Sequence, residues 1–139
     1  MTKVTVIDFS KQKIDLSKLI PDNADVVLAP KCNLDATVFG GSLIDLIHRF
    51  LDNLIRTPMF DINDPVYIII NSTAQAFATS LFLKTYFSTV FTPVTVWILR
   101  NVTDDNGVYL DMNRFEMEGM DRGRTYLEIL RTMLDVTVS

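Results

Sequence analysis

Asn71, Ser72 and Thr73 are the residues of this chain whose types and position could do chemistry. They stand between a β-prone run, Val66-Tyr67-Ile68-Ile69-Ile70, and a segment with Ala74, Phe77, Ala78, Leu81, Phe82 and Tyr86 at helical spacing. Where a strand's carboxyl end meets a helix N-terminus, unpaired backbone amides and the positive end of the helix dipole favour an anion. The two hydroxyls therefore have two readings. One of them caps the helix, or one holds or carries a phosphate that switches binding.

The remaining reactive side chains do not assemble into a catalytic set. His48 is the single histidine, so a Ser-His-Asp or Cys-His arrangement could be built only around it. It falls mid-helix beside Ile44 and Leu51, on the border of an apolar stripe, as a partly packed boundary residue does. Cys32 follows Pro30-Lys31 at the end of a strand, with no histidine near it in sequence to make its thiol a nucleophile. One histidine and one cysteine sixteen residues apart do not make a zinc site, and no metal is expected. Gly40-Gly41 lacks the surroundings of a P-loop or dinucleotide fingerprint, so no cofactor is expected either. Asp61 and Asp64 flank a turn, Asp104 and Asp105 precede a hairpin glycine, and turn chemistry accounts for all four. Asp111 stands alone within a strand pattern.

The elements that position these residues follow from periodicity. Val4 to Phe9 alternates like an edge or hairpin strand. Lys11 to Asn23 reads as a connection with room for one helical turn, and Ala24 to Ala29 as a second strand ended by Pro30. Asp35 to Arg56 is a long amphipathic helix whose stripe comprises Phe39, Leu43, Leu46, Ile47, Phe50, Leu54 and Ile55. Asp64-Pro65 opens the Val66–Ile70 run, which has no polar alternation and so suits a strand covered on both faces. A helix over Thr73–Ser88 stops before Thr92-Pro93, and Val94 to Leu99 is the next strand. A strand, a helix and a strand in that order imply two parallel strands joined by a right-handed crossover. Asn106-Gly107 lies between two β-prone runs and predicts a hairpin, with Val108, Leu110 and Met112 on its buried face. Asp121 to Leu134 gives a last amphipathic helix, and Val136 to Ser139 a possible edge strand. The fold class expected is a single α/β domain: a mainly parallel central sheet with flanking helices, plus a C-terminal β-hairpin and helix.

Composition narrows the function classes. The chain has 139 residues, 48% of them hydrophobic, and a formal charge of −4 with both signs interspersed. It has no basic cluster, so nucleic acid is not an expected partner. No apolar run is long enough to span a membrane, and no signal peptide is recognised. A single cysteine fits a reducing cytoplasm. The apolar excess points to surface hidden in a protein partner or in a second copy of the chain. Tyr109 on the hairpin, with Tyr126, Ile129 and Met133 on the last helix, are the expected oligomer contacts.

Val26-Val27-Leu28, the helix from Asp35, Asp64-Pro65-Val66-Tyr67-Ile68-Ile69-Ile70-Asn71-Ser72, the next helix and Pro93-Val94-Thr95-Val96 resemble the front half of a Clp protease proteolytic subunit. Residues 24 to 99 carry the resemblance, and Tyr67 to Ser72 is its most specific part. It implies the crotonase-like ββα-superhelix fold and assembly into rings or stacks. That family continues Ile-Asn-Ser with Pro-Gly-Gly, whose backbone helps form the oxyanion hole, whereas this chain has Thr73-Ala74-Gln75. After Leu99 the chain offers no serine before Ser139 and no histidine, so no member of the family's triad carries over. The resemblance implies a shortened, catalytically inactive subunit, with an active serine peptidase using an unrecognised site as the alternative. Asn33-Leu34-Asp35-Ala36 and Asn71-Ser72-Thr73 within the same element order also resemble a STAS domain. That family carries a phosphorylatable serine or threonine at the position of Ser72-Thr73, though in a turn ending in a glycine this chain lacks.

Overall fold

A computed structural model describes residues 2–10, 15–32, 41–72, 75, 78, 79, 82 and 93–117. Its strands are β1 (Lys3–Asp8), β2 (Asp25–Leu28), β3 (Val66–Ile70), β4 (Val94–Asp104) and β5 (Gly107–Met117), with one long helix, α1 (Gly41–Ile55). The sheet order is β2-β1-β3-β4-β5. β2, β1, β3 and β4 run parallel, and β5 is antiparallel to β4. This is an α/β architecture.

β3 forms because five β-prone residues follow the turn Asp61–Pro65, and all five are buried. Its alternate side chains feed two cores. Ile68 and Ile70 join Ile7, Val96 and Ile98 on one face, under Ile47, Phe50 and Leu54 of α1 and the helical residues Ala78 and Phe82. Tyr67 and Ile69 join Val4, Val6 and Leu99 on the other face, under Leu16, Leu19 and Ile20. The faces match the direction of each crossover. The connection from β1 to β2 runs one way along the sheet and covers the second face. Those from β2 to β3 and from β3 to β4 run the other way and cover the first, as a single crossover hand demands.

The second face is closed by a short 3-10 turn, Leu16–Lys18. Asp15 caps it, accepting from the Ser17 hydroxyl at 2.7 Å and the Ser17 amide at 3.1 Å. The hydroxyl first and the amide second hold the Asp15 carboxyl below its ordinary range. Trp97 in β4 donates its indole Nε1–H to the Leu19 carbonyl at 2.9 Å, fastening this segment to the sheet. Across the β4–β5 ladder, the Arg114 guanidinium lies 5.9 Å from the Trp97 ring centroid, within reach of a cation–π contact.

Several sequence expectations change here. β1 is neither an edge nor a hairpin strand: it lies between β2 and β3, parallel to both. Its alternation misleads because Thr5 is fully buried, its Oγ1 without a hydrogen-bond partner. Ile55, expected in the apolar stripe, is 64% exposed at the last turn of α1. His48 is exposed rather than partly packed, with Ile44 exposed beside it and only Leu51 buried. Met112, expected on a buried hairpin face, is exposed on the outermost strand. The hairpin bend is Asp105-Asn106, one residue earlier than Asn-Gly implies. Gly107 pairs with Asp104 and takes the positive φ, at 120°. Residues 35–40 of the expected first helix, most of Thr73–Ser88, and everything from 118 onward lie outside the described residues, with Tyr126, Ile129 and Met133 among them. Of Tyr109 only the backbone is described, opposite Val102.

Phe50 lies between Phe9 and Phe82, with ring centroids 5.7 and 5.8 Å away. Phe50→Ala is therefore expected to lower unfolding free energy by about 3–5 kcal/mol, while Ile55→Ser stays within about 0.5 kcal/mol. Thr5→Val, which removes a buried hydroxyl with no partner and keeps the shape, should be neutral or stabilising by about 1 kcal/mol. Urea denaturation of the three variants checks this. A Phe50→Ala protein as stable as wild type would mean that the ring cluster is not the core.

Candidate functional site

In an open parallel sheet, ligands sit outside the carboxyl ends of the strands where the strand order reverses. Here the reversal falls between β1 and β3, because β2 was added on one side of β1 and β3 on the other. The register sets Asp8 against Ile69, and the Phe9 amide donates to the Ile69 carbonyl at 2.9 Å. Ser10 follows at the carboxyl end of β1 and Asn71 at the carboxyl end of β3. Two polar strand ends, Asp8-Phe9-Ser10 and Asn71-Ser72, thus lie at the carboxyl ends of neighbouring strands.

Each end satisfies itself. Asp8 Oδ1 accepts from the Ser10 amide at 2.9 Å and from the Ser10 hydroxyl at 2.6 Å, the turn by which the chain leaves β1. On β3, Ser72 Oγ accepts from the Gln75 amide at 3.3 Å, and Gln75 Oε1 accepts from the Asn71 amide at 2.6 Å. The pair forms a capping box shifted back by one residue, since the reciprocal bond goes to Asn71 rather than to Ser72. Gln75 is buried, and its carbonyl accepts the buried Thr79 hydroxyl at 2.8 Å, so the box is anchored in the core.

Of the expected site residues, Asn71 and Ser72 stand together at the strand end, half-buried, and Thr73 lies outside the described residues. Ser72 is the cap. Gln75 was missed, although Ser72-Thr73-Ala74-Gln75 spells the S-x-x-Q signature at the start of an apolar helical pattern. Asp8 and Ser10 were missed because nothing local says that β1 neighbours β3.

The other reactive groups are dispersed. Cys32 is buried in the core cluster beneath α1. His48 is on the exposed side of α1. Asp61 Oδ1 accepts from the Asn63 amide at 2.9 Å, a turn contact. Asp64 Oδ2 lies 3.3 Å from Lys3 Nζ, an ion pair by distance that is not aligned as a hydrogen bond. No group of three metal-ligating side chains occurs among the described residues. No described helix is long and apolar enough to cross a membrane. Set against protein-family models, curated proteins and solved structures, the chain matches none.

Because Ser72 is a cap, Ser72→Ala should cost about 1 kcal/mol, and Gln75→Ala about 1–3 kcal/mol through the Asn71 amide it leaves unpaired. Ser72→Asp should be nearly silent, since aspartate caps as well as serine. Thermal melts of the three proteins check the ranking. An aspartate variant that folds normally yet loses a partner held by wild type would identify a phosphate switch instead.

Proposed function

We propose that the chain is a catalytically inactive, Clp-peptidase-like assembly or interaction subunit that self-associates or docks on a protein partner. The observation that carries this reading is the closed capping box at the end of β3. The resemblance places an oxyanion-hole backbone just after Ile70-Asn71-Ser72, and such a hole needs amides left open toward the substrate. In this chain the Gln75 amide, at the position of the family's second glycine, donates to Ser72 Oγ, and the Gln75 side chain accepts from the Asn71 amide. The Ser72 hydroxyl that could attack is itself the acceptor, with no imidazole among its hydrogen-bond partners.

Support for association comes from apolar surface. Leu28, Ile55 and Met59 are 61%, 64% and 73% exposed, and Val26 and Ile62 are exposed as well. Val26, Leu28 and Met59 line one groove together, and apolar side chains grouped in this way suit a protein that buries them against another surface. On this reading the chain works as a subunit of an assembly in the cytoplasm, by contact rather than by turnover.

Two measurements test it. Solution mass across micromolar concentrations should exceed that of a 15.8 kDa monomer. Fluorogenic peptides and esters should be turned over no faster than in buffer. Turnover abolished by Ser72→Ala would overturn the inactive assignment and favour the peptidase. A monomeric mass, with no binding partner gained at any concentration, would overturn the assembly role.

A further inference from the structure

Among the described residues β2 is an edge of the sheet, and its outward backbone groups can be assigned. The Asp25 amide donates to the Thr2 carbonyl at 2.8 Å and the Ala29 amide to the Val6 carbonyl at 2.9 Å. Backbone groups alternate sides along a strand, so Val27 also faces β1 while Val26 and Leu28 present their N–H and C=O groups outward. Both side chains are exposed too, on the face of the sheet that carries Val4 and Val6. Next to this edge a groove is lined by Lys3, Asp25, Thr57, Pro58 and Met59. Met59 is 73% exposed and holds a left-handed backbone, φ 70°. The sheet's opposite described edge, β5, carries the exposed Arg114, a charge of the kind that discourages edge pairing. β2 has one charge, at its start.

We propose that a second copy of this chain pairs antiparallel along the edge of β2, about a twofold axis through Val27, joining two sheets into one. The inference rests on the self-association reading and names its surface. The strand is self-complementary in this register. Val26 faces Leu28 of the second copy on both sides of the axis, so each outward N–H meets an outward C=O and each exposed apolar side chain meets another. Asp25 falls opposite Ala29, and diagonal to Lys31, which is exposed just past Pro30. Each acid then sits near a base of the other copy, twice by symmetry. Pro30 ends the ladder, having no amide to extend it. An isologous pair of this kind closes on itself, so the expected assembly is a dimer rather than a fibre.

Sedimentation equilibrium between roughly 1 and 300 µM tests this, in the range expected for a small interface. Wild type should rise from the monomer mass toward twice that value. Val26→Pro removes an outward amide, and Leu28→Lys places a charge against Val26 of the other copy. Both should remain monomeric with unchanged thermal melts, and the lysine variant decides the matter if the proline one fails to fold. Asp25→Lys should weaken the dimer about tenfold, and Asp25→Lys with Lys31→Asp should restore it. Leu28→Lys protein that dimerises like wild type would overturn this surface while leaving self-association standing. A double charge variant as weak as the single one would overturn the register. A wild-type protein monomeric throughout would overturn both this surface and the self-association reading.

Discussion

The whole molecule depends on burying β3 from both sides. Five consecutive residues, Val66 to Ile70, leave no polar face for water, so the strand is stable only with neighbours on either edge and cover above and below. β1 and β4 supply the edges. α1 with Ala78 and Phe82 supplies one cover, and the 3-10 segment supplies the other. The two covers differ greatly. One is a fifteen-residue helix with a triplet of packed aromatic rings. Among the described residues the other is a three-residue turn and its flanks, held down by Leu16, Leu19, Ile20 and one indole hydrogen bond.

Wherever the chain leaves the buried sheet it must pair its own backbone at once. It does so with Ser10 on Asp8 after β1 and with Gln75 and Ser72 after β3, and the turns of Ser17 on Asp15 and Asn63 on Asp61 do the same within the connections. The polar residues that catch the eye in the sequence are largely the fasteners of these exits. A polar cluster at a strand end is then compatible with a protein that performs no reaction, and the exposed apolar residues become the more informative feature.

What could be read from the sequence was what depends on neighbours in the chain. β3 announced itself by its unbroken apolar run, β2 by its β-prone residues before Pro30, and the middle of α1 by the spacing of Ile47, Phe50 and Leu54. The bend before Gly107 was legible to within one residue. What could not be read was pairing across the chain. β1 and β3 are about sixty residues apart in sequence, and the alternation of Val4 to Phe9 is what an edge strand would also show. Thr5 disguised a buried position as a wet one, and Ile55 and Met112 did the reverse. At the candidate site Ser72 was visible, while Gln75 was hidden in plain view because two adjacent hydroxyls competed for the role of cap.

The hydrogen bond from Trp97 to the Leu19 carbonyl has a spectroscopic consequence. This is the chain's sole tryptophan, so every photon of indole emission comes from the junction between β4 and the segment that follows the 3-10 turn. With its nitrogen tied to a carbonyl and a guanidinium over its ring, the indole occupies surroundings that vanish once that segment lifts. The molecule therefore carries an intrinsic optical gauge of one face of its sheet, blind to the helical face. Its emission, set beside the helical circular dichroism to which α1 contributes, follows this face of the sheet without any label.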